Sequence, residues 1–152
     1  LDRQHPRDLF DVFLLFQEAG YNEDIKYGFI QALVSHMRTI HEVLQPHLLN
    51  QRLAFEKQFQ GMSDIQFTYE DFEDTRNRLI ETVNSSLTYP DRTFLLSFKR
   101  GNPDWDLFPY AKLNDMPAVQ WKLLNLQNLI KSNPGKHKEL LSKLETIFIK
   151  GA

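Results

Sequence analysis

Apolar residues recur three and four positions apart along almost the whole chain, and that spacing constrains its fold more than any other feature. Leu9, Phe10, Val12, Phe13 and Phe16 make one such set, and Ile25, Phe29, Ala32, Leu33 and His36 make another. Phe72, Leu79, Ile80, Val83 and Leu87 follow, then Val119, Leu123, Leu126 and Ile130, and finally Leu140, Leu141, Leu144, Ile147 and Phe148. Each is the buried stripe of an amphipathic helix. The one strand candidate, Ile65-Gln66-Phe67, is too short to seed a sheet. The spacing therefore predicts an all-α fold, a bundle-like helical domain of six to seven helices spanning residues 1–152.

Proline, glycine and asparagine set the boundaries. Pro6 suits the first turn of a helix and Gly20 the left-handed position that ends it. Asn22 is placed to cap a second helix, which stops near Met37 or Arg38. A short helix over Thr39 to Leu44 is halted by Pro46, and another, from Leu49 to Phe59, closes at Gly61. Thr68 followed by Glu70 and Asp71 is the clearest start signal, a hydroxyl cap with acids near the positive end of the helix dipole. Pro90 and Asp91 introduce a segment over Thr93 to Lys99, stopped by Gly101. Asn102 to Asp115 reads as one long loop holding Trp105 and Phe108-Pro109-Tyr110, and loops of that length often carry function. Asp115 and Pro117 open the next helix, on which Trp121 reads as a core residue, and Asn133-Pro134-Gly135 separates it from the last.

Composition narrows the class. At 152 residues the chain has the commonest size of a single domain and buries roughly two-thirds of its unfolded surface on folding. The absence of cysteine excludes disulfides, thiolate metal sites and a cysteine nucleophile, and fits a reducing, cytoplasmic setting. A net charge of −2 argues against a surface devoted wholly to nucleic acid. Apolar runs such as Phe13-Leu14-Leu15-Phe16 fall far short of the ~20 residues of a membrane span, so no membrane partner is expected. Neither a signal peptide nor a polybasic tail is seen, and the first residue is Leu1 rather than Met, as in an excised fragment. His36, His41 and His47 are not spaced as metal ligands, and no glycine-rich phosphate loop or Gly-x-Ser-x-Gly elbow is present. Arg38 and His41 do not give the arginine-to-histidine spacing of helical ribonuclease domains.

Two constellations stand out. Arg7-Asp8-Leu9-Phe10-Asp11 opens the first helix, with Asp8 and Asp11 three apart and Arg7 and Asp11 four apart, while Leu9, Phe10 and Phe13 anchor the helix inward. First-turn acids stabilise a helix by ~0.3–1 kcal/mol without any further role. The sharper reading is a carboxylate pair facing a cleft, with Arg7 holding a carboxylate or a phosphate. The second constellation joins Lys99, Arg100, Trp105, Phe108 and Tyr110, continuing to Trp121 and Lys122. Cations that meet phosphates beside aromatic faces that stack on bases would suit RNA, although aromatics in a helical domain usually fill its core. Arg76 and Arg78 with Glu73, Asp74 and Glu81 read as a solvated helix face, as do Lys131, Lys136, Lys138 and Lys143, and the histidines as surface or half-buried polar residues.

Arg7-Asp8-Leu9-Phe10-Asp11-Val12 and the apolar stretch behind it resemble the late catalytic motif of the AbiEii-type nucleotidyltransferase toxins of abortive-infection toxin–antitoxin systems. Glu56 to Met62, Phe94-Leu95-Leu96-Ser97-Phe98-Lys99 with Gly101, Pro103, Asp104 and Trp105, and Pro117 to Leu123 are similar to later segments of that family, so the likeness covers nearly the whole chain. The resemblance implies a bilobal enzyme whose N-terminal α/β lobe carries a Gly-rich motif and the metal-binding acids, and whose helical C-terminal lobe is this chain. The N-terminal lobe, and a lysine of the late motif, would precede Leu1, and the fragment alone would be inactive. The implied reaction transfers a nucleotidyl group from an NTP, with Mg²⁺, to an acceptor hydroxyl of tRNA or protein, and no cofactor or metal would bind tightly to this fragment. By motif, Asp11 and Asp8 are the catalytic candidates, Asp11 to deprotonate or position the acceptor and Asp8 to orient the site; Arg7 would contact phosphate or brace Asp11, and Lys99, Arg100 and Trp105 would contact the acceptor. The implied partner is a cognate antitoxin. The alternative is a non-catalytic helical interaction module.

Overall fold

A computed structural model describes residues 1–59 and 61–150. Its elements are α1 (Pro6–Glu18), α2 (Glu23–Ser35), α3 (Ile40–Leu44), α4 (Arg52–Gln58), α5 (Tyr69–Ser86), α6 (Tyr89–Lys99), α7 (Pro117–Ser132) and α8 (Pro134–Lys150). Among the described residues there is no strand, and the fold is the expected helical bundle. Among the described residues there are eight α-helices, one above the upper end of the expected six to seven, and the two short segments α3 and α4, five and seven residues long, are both helical. Gln60, within the Glu56 to Met62 stretch, and residues 151–152 lie outside the described residues.

The caps explain most boundaries. The Asn22 side chain accepts from Ile25 N at 3.0 Å and starts α2. Gly20 (φ +68°) and Gly101 (φ +81°) take the left-handed conformation after α1 and α6. At α5, Thr68 Oγ1 accepts from Asp71 N while Asp71 Oδ2 accepts from Thr68 N at 2.7 Å, a reciprocal capping box. Thr88 and Asp91 repeat it, and α6 consequently starts at Tyr89, four residues before the expected Thr93. The 102–115 segment is a loop with two 3-10 turns, Trp105–Leu107 and Leu113–Asp115. Phe108 and Leu113 bury it against the bundle.

Two apolar clusters hold the helices. The larger unites α2, α3, α6, α7 and α8 with the end of α5 around Ile30, Leu44, Phe94, Phe98, Val119 and Leu144. The smaller is nearly all aromatic and joins α1, α4 and the start of α5 through Leu9, Phe55, Phe59, Phe67 and Phe72. Phe10 and Phe13 close it, their rings 5.3 and 5.0 Å from that of Phe67.

Trp121 is 57 % exposed, because the stripe that α7 buries is centred on Val119 and leaves its neighbours Trp121 and Leu124 outside. Arg76 is only 4 % exposed and does not belong to a solvated face, whereas Arg78 does, lying over the Phe16 ring. Among the described residues no helix is long and apolar enough to cross a membrane.

Candidate functional site

The α1 element is built from its anchors outward. His5 caps the helix, its Nδ1 accepting from Arg7 N at 3.3 Å, and Pro6 and Leu9 are buried beneath it. With that face fixed, Arg7 and Asp11 are exposed. Asp11 makes no hydrogen bond or ion pair among the described residues. Asp8 is held by Arg3, whose Nη2 donates to both carboxylate oxygens at 2.8 and 2.9 Å. Arg7 Nη2 instead lies 3.6 Å from Met62 Sδ, so the arginine braces neither acid. Among the described residues no group of three or more His, Asp or Glu side chains could hold a metal ion. With Asp8 already taken by Arg3, the residues present do not make a Mg²⁺ cradle.

The lead-in to α1 is unusually well fixed. Gln4 is buried with φ at +50°, donates from Nε2 to His47 O at 2.8 Å and accepts from Leu49 N at 3.0 Å. Arg76 Nη1 meets the same Gln4 oxygen at 3.3 Å and Leu49 O at 2.7 Å, so one guanidinium of α5 ties together the residues before α1 and those before α4. The burial of Arg76 follows from that role, since its charge is spent on a carbonyl, an amide and Glu73 at 3.7 Å.

Lys99, Arg100 and Trp105 lie at the end of α6 and just beyond it. Arg100 is exposed and donates to Glu145 at 2.9 Å. The Trp105 ring packs 5.9 Å from Phe94 and 6.3 Å from Phe98, which makes it half core and half surface. Lys99 is 4 % exposed, and its amino group has no hydrogen bond or ion pair among the described residues. Burial holds it below the usual lysine range, and Glu42 offsets that only in part.

Beside it, Lys122 of α7 donates to Leu33 O, His36 O and Arg38 O at 2.6, 2.7 and 2.8 Å, capping the C-terminal end of α2 with a cation. Burial and then the charge of Lys99 push Lys122 down to about 8.

These two constellations occupy different parts of the fold, α1 on the aromatic cluster and Lys99, Lys122 and Trp105 on the larger one. Sequence reading missed the cation cap of Lys122 and a buried ion pair, Lys26 Nζ to Asp91 Oδ2 at 3.2 Å. A signal for the Asp91 cap was present, since Thr88 and Asp91 repeat the spacing of Thr68 and Asp71. No protein-family model, curated protein or solved structure matches the chain.

Proposed function

We propose that the chain is the helical lobe of a nucleotidyltransferase resembling the AbiEii-type toxins. Asp11, with Asp8 and Arg7, faces a second lobe that holds the NTP and Mg²⁺. The observation that supports this reading is the presentation of Asp11: an unpaired, exposed carboxylate in the second turn of a helix whose opposite face is locked by Leu9, Phe10 and Phe13. A carboxylate so placed is free to accept a proton from an incoming hydroxyl. Of the three acceptor candidates, Arg100 is the most exposed, with Trp105 beside it and Lys99 inside. The acceptor class is tRNA or protein, and a cognate antitoxin would restrain the activity in the cytoplasm.

The test is label transfer from each α-labelled NTP by the protein together with its upstream lobe. Loss of transfer in Asp11→Asn with unchanged folding is expected; transfer at the wild-type rate would overturn the assignment. A second reading, a non-catalytic interaction module, is favoured by the exposed Trp121 and Leu124 on α7. The reading frame upstream separates the two. A glycine-serine or glycine-glycine turn followed by two acids two residues apart belongs to the enzyme, and a start within a few residues of Leu1 belongs to the module.

A further inference from the structure

A small cavity of about 170 Å³ lies where the turn between α2 and α3 meets α6, α7 and α8, lined by Lys99, Lys122, Arg38, Thr39 and Asn125 together with apolar side chains. No acidic side chain lines it among the described residues. Three cations therefore share a small, largely apolar chamber. Two of them have their charge answered. Lys122 donates to three carbonyls, and Arg38 is paired with Asp2.

The third, Lys99, is answered only through space by Glu42, which does not line the cavity. Lys99 is 96 % buried by its 4 % exposure, yet its amino group has neither a hydrogen bond nor an ion pair among the described residues. The residue is buried while its amino nitrogen keeps a little contact with solvent, so the charge is only partly hydrated and has no hydrogen-bonded protein partner. The repulsion between Lys99 and Lys122 sharpens the demand for negative charge between them. Thr39 and Asn125 add a hydroxyl and an amide, groups that hydrogen-bond anionic oxygens.

We propose that this cavity is a binding site for a small phosphate-class anion, free phosphate or the phosphoryl end of a phosphomonoester, with Lys99 as its principal ion-pairing residue. The volume limits the ligand, since pockets for whole drug-sized molecules run from roughly 300 Å³ upward. Met37, 74 % exposed, and Arg38 are among the lining residues nearest to solvent, and an ester group would leave the cavity past them. Among the described residues no carboxylate or imidazole lines the cavity to move protons, so Lys99 acts there as an ion-pairing group and not as a nucleophile. Lys99 is also an acceptor candidate of the nucleotidyl-transfer reading, but phosphate binding by this chain is read without label transfer and without Asp11, so the failure of one and the failure of the other are distinguishable.

The experiment uses the chain as it stands at pH 7. Inorganic phosphate and glycerol phosphate are titrated by calorimetry and by thermal shift, at constant ionic strength set with chloride. Saturable binding of one or both is expected, with a rise in Tm that follows ligand concentration. The ratio of the two affinities tells whether the free ion or the ester is preferred. Lys99→Met should weaken binding at least tenfold, while Lys57→Gln, which removes an exposed cation of α4, should leave it unchanged.

Should Lys99→Met fail to fold, lysine-selective NMR of the unaltered protein gives the same answer: the Lys99 side-chain resonance shifts saturably on phosphate addition while exposed lysines such as Lys131 and Lys138 do not. Absence of saturable binding, or equal binding by Lys99→Met, would overturn the proposal.

Discussion

Lys26 and Asp91 meet at 3.2 Å with 6 % and 3 % of their side chains exposed, and the same Asp91 oxygen accepts from Thr88 N and Thr88 Oγ1 at 2.9 and 2.7 Å. One carboxylate thus closes the capping box of α6 and neutralises a cation of α2. Removing either partner leaves the other charge buried and unpaired, a loss of about 3–5 kcal/mol. Lys26→Met should therefore lower the unfolding free energy by that order in urea denaturation. The double variant Lys26→Met/Asp91→Asn should recover part of it, since the amide oxygen can still cap α6.

Lys122 makes stability depend on pH in a direction opposite to that of most paired lysines. Its pKa falls from 10.5 unfolded to about 8 folded, so between those values the unfolded chain binds more protons. Stability then rises with pH across that window, and the penalty is fully present below about 8. Relative to Lys122→Met, the unaltered protein should gain about 2 kcal/mol between pH 7.5 and 9.5, read as the change in the difference of their urea unfolding free energies.

Arg76→Met keeps the volume of the guanidinium stem and removes its donors. Leu49 O then loses its 2.7 Å partner and Gln4 Oε1 one of its two. A loss of about 1.5–3 kcal/mol is expected from charge-assisted bonds of this kind. Hydrogen exchange should show the amides at the start of α1 losing protection before those of α8.

Gly101 combines a φ of +81° with an approach in which a Cβ would meet Ile130 Cδ1 at 2.8 Å. Gly101→Ala should cost about 1–2 kcal/mol from the left-handed backbone. The Ile130 methyl is the end of a mobile side chain and can yield, so Ile130→Val should relieve little of the loss in thermal denaturation.

The helices were legible because their signals are local. Pro6, Asn22, Thr68 and Pro117 act within one turn of themselves, and each marks a helix start where expected. Thr88 went unread although its spacing to Asp91 matches that of Thr68 to Asp71, because Pro90 drew the boundary toward itself. Trp121 failed for a different reason: a helix has room for only so wide a buried stripe, and composition does not say which large residue falls at its edge.

Charged groups were the least legible. Arg76 lies beside Glu73 in sequence but is claimed by Gln4, 72 residues away, and Lys122 by carbonyls 84 to 89 residues away. The α1 motif could be picked out by residue type and spacing. That Arg3, and not Arg7, holds Asp8 depends on how the chain enters the helix, which periodicity does not encode.

The Lys122 cap also bears on the order in which the molecule folds. Closing a loop of 84 to 89 residues carries an entropic penalty on the order of 4 kcal/mol before any contact repays it. Local helix formation is fast by comparison. The carbonyl of Leu33 in the last turn of α2, and those of His36 and Arg38 just beyond it, therefore gain their cation only once α7 has packed. Lys122 thus fastens the exit of α2 as a long-range step that follows helix formation and does not belong to it.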